Sequence, residues 1–180
     1  RVRRMDYSIQ ISKLFYERFM NEEQITLISP HMAPGLYEAF GTEEFDDLYL
    51  KYEADKTIPK KSVPAQDLFF DLLKERAETG RIYIMNMDHC NTHSSFKDKV
   101  SMSNLCQEIT LPTTPIQDIH DEQGEIALCI LSAVNVGGLN DLSELENICD
   151  LSVRALEQII DYQDYPVRAA EVSTKKRRSL

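Results

Sequence analysis

The chain has 180 residues, 42% of them hydrophobic, and a formal net charge of −10. That length can bury one sizeable core at an ordinary apolar content, and no apolar run approaches the roughly 20 residues of a membrane-spanning helix. The acidic balance disfavours binding nucleic acid through phosphate neutralisation. Four scattered cysteines, Cys90, Cys106, Cys129 and Cys149, suit a reducing compartment better than a disulfide-stapled secreted module. No charged-then-apolar leader opens the sequence, so a soluble cytoplasmic protein without membrane or nucleic-acid partners is expected. The basic clusters at residues 1–4 and 175–178 read as solvated, frayed termini.

In chain order, residues 9–20 carry Ile11, Leu14, Phe15 and Phe19 as a helical stripe, and 24–29 read as a short strand. Pro30 and Pro34-Gly35 interrupt the chain before two helical pieces, 36–40 and 44–52, the second with Phe45, Leu48 and Tyr52 on one side. Lysines and two prolines make 55–64 an exposed connection. A stronger helix follows over 65–78, with Leu68, Phe69, Leu72 and Leu73 as its apolar face and Gly80 as its C-terminal stop. Residues 81–87 read as a buried strand that leads into a loop over 88–100. After a turn-rich stretch at 112–124, residues 125–136 are nearly all apolar, which fits a strand in a sheet covered on both faces. Gly137-Gly138 turns the chain, and 143–161 forms the longest amphipathic helix. Its inward residues would be Leu145, Ile148, Leu151, Leu156 and Ile159, with Asp141 or Ser143 as the cap. Alternating strands and helices argue an α/β fold, although periodicity does not by itself specify a barrel.

The run Ser103-Asn104-Leu105-Cys106-Gln107-Glu108 sets an amide, a thiol and a carboxylate at alternate positions. On an extended segment Asn104, Cys106 and Glu108 would converge on one face, with Leu105 and Gln107 turned away. A thiol can serve as nucleophile, redox centre or hydrogen-atom carrier, and a nearby carboxylate can take a proton from a substrate hydroxyl. Taken alone the pattern is also that of an inert cysteine on a half-buried strand. Asp88, His89, Cys90 and His93 include metal-ligand types, but no second ligand pair accompanies them, so no metal is expected there. His31 and His120 read as loop residues.

Five runs occur in fixed order: Gly80-Arg81-Ile82-Tyr83-Ile84, Asp88-His89-Cys90-Asn91-Thr92-His93-Ser94, Ser103-Asn104-Leu105-Cys106-Gln107-Glu108-Ile109, Gly124-Glu125-Ile126-Ala127-Leu128-Cys129 and Asp161-Tyr162-Gln163-Asp164-Tyr165-Pro166. Together they resemble the catalytic large subunit of class I ribonucleotide reductase, from about Val2 to Leu180. The resemblance implies part of a ten-stranded α/β barrel whose finger loop carries the thiol to the centre. Within it, residues 1–79 would be mainly helical, 80–140 strands and finger loop, 141–165 a helix, and 166–180 a basic tail or connection. Since the barrel should continue beyond Leu180, the chain would be an internal portion of the subunit or one product of a split gene.

By resemblance, Cys106 becomes a thiyl radical, Glu108 removes the ribose 3′-hydroxyl proton and Asn104 orients the sugar. Cys129 is one member of the redox pair, and residues Asn104, Leu105, Cys106, Gln107 and Glu108 contact substrate. The resemblance assigns Cys90 no role and makes the 88–93 run structural, with Asp88, His89 and His93 bonding backbone. Cys149 reads as packing or surface. No cofactor would be bound in this chain. The radical would come from a separate metal-containing small subunit, and ATP and deoxynucleotide effectors would bind other parts of the large subunit. Partners would be the rest of that subunit, the small subunit, thioredoxin or glutaredoxin, and a ribonucleoside diphosphate. Two departures from the commonest pattern are Gln107, where an apolar residue is frequent, and a short connection from Cys90 to Cys106. The rival readings are a non-catalytic assembly component of a split reductase and, if the joint match is accidental, an unrelated acidic scaffold.

Overall fold

Ser12 marks the point where the first strand gives way to the first helix. The computed structural model describes residues 5–180, with β1 (Tyr7–Ile11) followed by α1 (Lys13–Met20). The helix expected over 9–20 is therefore shorter than its apolar stripe. The backbone of Ser12 is extended, at φ −88° and ψ 163°, and its hydroxyl accepts from the Phe15 amide at 3.4 Å, which places the helix start after it. Upstream, β-branched Ile9 and Ile11 suit a strand.

The segment 24–29 is a strand as expected. β2 (Gln24–Ile28) runs antiparallel to β3 (Lys60–Pro64), with Ile25 opposite Val63. The supposed connection over 55–64 thus ends in a strand. Pro64 lies at its last position, where a missing N–H is tolerated, and Lys60 Nζ donates to the carbonyls of Tyr52 at 3.1 Å and Glu53 at 2.5 Å. Between these strands come α2 (Leu36–Ala39) and α3 (Phe45–Ala54), and β3 leads directly into α4 (Ala65–Thr79). Gly80 ends α4 in the left-handed region at φ 67°, its amide bonded to the Arg76 carbonyl at 2.7 Å. Ile11, Leu14, Phe15, Ile25, Phe45 and Tyr49 form the core of this unit. The buried Tyr49 hydroxyl is fully satisfied, accepting from Thr26 N at 2.7 Å and donating to Thr26 O at 2.8 Å.

β4 (Ile82–Asn86) lies parallel to β1, pairing Tyr7 with Ile82 and Ile11 with Asn86. The expected loop over 88–100 opens instead with a short helix, α5 (Met87–Thr92). Asn91 then acts as a backbone surrogate: its Nδ2 donates to Val100 O at 3.0 Å and its Oδ1 accepts from Val100 N at 2.8 Å. Gly41, at φ 81°, permits this, because a Cβ there would stand 2.9 Å from Asn91 Nδ2.

Contacts divide the chain into two compact units, residues 1–111 and 112–180. The second holds α6 (Leu145–Tyr162) and α7 (Arg168–Arg177). The strand expected over 125–136 does not form; only an isolated bridge joins Thr114 to Glu125. An apolar run becomes a strand when neighbouring strands and two covered faces are supplied, whereas here Leu131 is 69% exposed. Asp141 Oδ1 accepts from Ser143 N at 2.9 Å, but it caps a short 3-10 turn, Leu142–Glu144, that leads into α6; α6 itself follows Glu144 with no side-chain cap. Leu156 and Ile160 are the buried residues of α6, while Leu151 and Ile159, expected inward, are exposed.

The C-terminal basic cluster is not frayed. Arg177 Nη2 reaches the buried Glu125 carboxylate at 2.6 Å, Lys176 joins it, and Arg178 Nη2 pairs with Glu157 at 2.5 Å and Asp161 at 3.0 Å. The cluster at residues 1–4 lies outside the described residues. The result is a mixed α/β arrangement in which, among the described residues, strands form two two-stranded sheets and close no barrel.

Candidate active site around Cys106

Side chains from one strand and one helix steer the chain into the cysteine loop. Asn91 on α5 latches Val100, and Gln10 on β1 donates from Nε2 to the Ser101 carbonyl at 3.0 Å. The loop itself is a turn and not an extended segment. Gln107 N donates to Asn104 O at 3.1 Å, and Gln107 takes the left-handed conformation at φ 66°. The alternating-face argument for Asn104, Cys106 and Glu108 therefore does not hold in its strand form. The cause is competition for backbone bonds, which short polar side chains readily win. Asn104 Oδ1 accepts from Ile109 N at 3.0 Å, Ser103 Oγ donates to Ile109 O at 2.5 Å, and Gln107 Nε2 donates to Asn104 O at 2.8 Å.

At this turn Asn104, Leu105, Cys106 and Glu108 are exposed and Gln107 is half-buried, its Oε1 enclosed without a partner. Cys106 also has a neighbour that the motif did not indicate. Tyr83, on β4, interacts with the Cys106 thiol, and this interaction pushes the Tyr83 phenol above its ordinary 10.0. The available signal was that Tyr83 sits inside one of the five characteristic runs, on a strand that alternates toward the site.

Cys129 lies in the second unit, half-buried, with Sγ 3.9 Å from the Ile130 carbonyl, and burial pushes its thiol up. Its segment is tied to α7 and the residues after it. Ile130 N donates to Ser179 O at 3.2 Å, Ser173 Oγ donates to Ile126 O at 2.5 Å, and Glu125 binds Lys176 and Arg177. Cys90 packs against Met85, Met87 and Val100, and burial raises its thiol too. A raised thiol is mostly un-ionised and unreactive at neutral pH. Cys149 is exposed on α6, and all four cysteines are free thiols.

In the histidine-containing run, Asp88 Oδ2 accepts from the backbone amide of Lys13 at 2.6 Å, at the start of α1, as a residue bonding backbone should. His93 Nδ1 instead meets the Thr92 hydroxyl at 3.0 Å, and the rings of His89 and His93 stand edge to face at 5.5 Å. Among the described residues, no three His, Cys, Asp or Glu side chains are grouped to hold a metal ion, and no helix is long and apolar enough to cross a membrane. A cleft of about 430 Å³ opens beside α1, lined by Tyr16, Met20, Asn86 and His89 among others; none of the cysteine-loop residues lines it.

Residues 1–180 match the family described as "Ribonucleotide reductase, barrel domain". The chain is 56% identical to the ribonucleoside-diphosphate reductase subunit alpha of Haemophilus influenzae and 55% identical to ribonucleoside-diphosphate reductase 1 subunit alpha of Escherichia coli K12. It is 40% identical to the ribonucleoside-diphosphate reductase subunit alpha of Enterobacteria phage T4. Each match covers 100% of this chain and 24% of the relative, so the chain spans about a quarter of the length of these proteins. With a match from end to end, the chain belongs to the ribonucleotide reductase barrel-domain family.

Proposed function

We propose that this chain carries the catalytic cysteine loop of a ribonucleoside-diphosphate reductase large subunit, an oxidoreductase that makes deoxyribonucleoside diphosphates. The observation that carries the reading is Cys106, exposed on a turn locked by neighbouring side chains, within a chain that matches the family throughout. In this reading the parallel β1–β4 pair is one portion of a ten-stranded α/β barrel, and the rest of the large subunit supplies the other strands. That the described strands pair only in twos also favours activity in the assembled subunit over activity of the chain alone.

The chemistry follows from the residue types. A Cys106 thiyl takes the ribose 3′ hydrogen, forming an S–H bond and a sugar radical. Glu108 removes the 3′-hydroxyl proton, and the 2′-hydroxyl leaves as water with a proton from the redox pair. Cys129 and its partner thiol supply two electrons, the second thiol hydrogen forming the new C2′–H bond, and end as a disulfide, while Glu108 returns its proton to the 3′ oxygen. Cys106 returns its hydrogen to C3′ and is again a thiyl. With Asn104 Oδ1 occupied by Ile109, the Nδ2 donor is what Asn104 offers the sugar. Leu105 and Gln107 complete the substrate contact. The radical originates in a separate metal-containing small subunit, thioredoxin or glutaredoxin re-reduces the cysteine pair, and ATP and deoxynucleotide effectors bind other parts of the subunit. The reaction takes place in the cytoplasm.

The deciding assay is deoxyribonucleotide formation by the assembled subunit with its radical subunit and a thioredoxin-type reductant. Cys106→Ser should abolish turnover while nucleotide binding persists, because a hydroxyl O–H bond is too strong to substitute for S–H in hydrogen-atom transfer. Normal turnover by the Ser variant would overturn the assignment.

A further inference from the structure

Antiparallel strands close a loop by satisfying both the N–H and the C=O of facing residues. The loop bearing Cys106 is closed differently, since both polar backbone groups of Ile109 are taken by adjacent side chains. Asn104 Oδ1 receives its N–H at 3.0 Å and Ser103 Oγ donates to its C=O at 2.5 Å. Cys106 and Glu108 both lie between the two sides of this neck, among the residues that separate Asn104 from Ile109, five positions on. Ser103 is half-buried, and its one O–H is within donating reach of both the Ile109 carbonyl at 2.5 Å and Asn104 Oδ1 at 3.0 Å, so it joins the two closing groups.

We propose that Ser103 is a positioning residue for the reductase: its hydroxyl, bonded to the Ile109 carbonyl beside the Asn104–Ile109 bond, sets where Cys106 stands relative to Glu108. This rests on the catalytic reading of Cys106 and Glu108 given above. Two groups must meet one ribose, at the 3′ hydrogen and the 3′ hydroxyl, and the two requirements tolerate little error. A displacement of about 1 Å can lower a rate by roughly 100-fold. Ser103 does not itself touch substrate, so its removal acts on the chemical step and leaves binding intact.

The test compares Ser103→Ala, Ser103→Thr and Ser103→Val in the assembled reductase, beside Cys106→Ser. Ala should lower kcat by about 10- to 100-fold with KM changed less than about twofold, the pattern of a lost orienting contact. Thr, which keeps the hydroxyl, should restore kcat to within about threefold. Thr and Val share a shape and differ by that hydroxyl, so this pair decides the matter if the Ala subunit does not assemble. A second readout is alkylation of Cys106 by iodoacetamide, followed on its peptide. It should be faster in Ala and Val than in Thr, because a loosened neck leaves the exposed thiol less fixed. Wild-type kcat in Ala or Val, or Thr as slow as Val, overturns the positioning role while an inactive Cys106→Ser leaves the catalytic reading standing. An active Cys106→Ser overturns that reading itself.

Discussion

Glu125→Gln isolates the ion cluster that ties the Cys129 segment to the end of the chain. The carboxylate is 8% exposed and receives Arg177 Nη2 at 2.6 Å and Nε at 3.2 Å, with Lys176 as a third donor. Lys176 is 59% exposed, so its share is small, about 0–1 kcal/mol. Arg177 is only 13% exposed, and losing charge-assisted bonds from a covered guanidinium costs about 1.5–3 kcal/mol. The amide keeps the shape of the carboxylate but turns an NH₂ toward two cations. Together these give about 2–4 kcal/mol, below the ceiling of about 5 for breaking a fully buried pair. Hydrogen exchange of the Ile130 amide, which donates to Ser179 O, reports this opening directly. A change under about 0.5 kcal/mol, the level of a neutral surface substitution, would refute the reasoning. Acid supplies a second check. Burial pushes the Glu125 carboxyl up, but the bonds from Lys176 and Arg177 outweigh burial and hold it below its ordinary 4.5. Its contribution is therefore complete above that value and is lost as pH falls through the lower folded pKa. The Gln variant should lack this part of the acid sensitivity.

Tyr83 and Gln107 supply two further tests. In Cys106→Ala the Tyr83 phenol should titrate closer to 10.0 than in the parent chain, as followed by NMR of ring-labelled tyrosine; an unchanged titration would remove the Tyr83–Cys106 interaction from the account. The sign is that of a raised phenol: the stabilising contact is complete below the ordinary value and lost as pH climbs through the folded one. Gln107→Gly should leave loop stability within about 1 kcal/mol, since relief of the left-handed conformation offsets the added chain entropy. Gln107→Val should weaken the loop by about 1–3 kcal/mol, read as lost exchange protection at the Ile109 amide; equal protection in Gly and Val would show that the positive φ of Gln107 is not a constraint.

What could be read from the sequence was mostly local chemistry. Gly80 as a helix stop depends on neighbours within a few residues and stands, and Asp141 does cap, though a 3-10 turn just ahead of the long helix and not the helix itself. The strand at 60–64 was hidden because lysine and proline usually mean a connection, and only pairing with β2 makes them an edge. The basic end looked solvated because its counter-ion, Glu125, lies 51 and 52 residues upstream of Lys176 and Arg177. At the candidate site the motif singled out Cys106 and Glu108 as the residues to propose, whereas their arrangement was not legible. A two-residue alternation assumes a strand, and Ser103 and Asn104 use their side chains to make a turn instead. The Tyr83 contact joins residues that no periodicity connects.

The β1–β4 pair has a consequence for how the protein comes off the ribosome. Its strands are joined across 75 positions, Tyr7 to Ile82 and likewise Lys13 to Asp88. At a synthesis rate of about 5–20 residues per second, the first strand waits roughly 4–15 seconds for its partner to be made. Meanwhile α1 can form from short-range contacts, and β2 can meet β3 before β4 exists, but β1 presents bare backbone to whatever is near. Closing so long an interval has an entropic cost that the elements in between reduce only once they are folded. Birth of the cysteine loop is thus timed by β4: until that strand docks, neither Tyr83 nor Asn91 is in place to receive Cys106 and Val100.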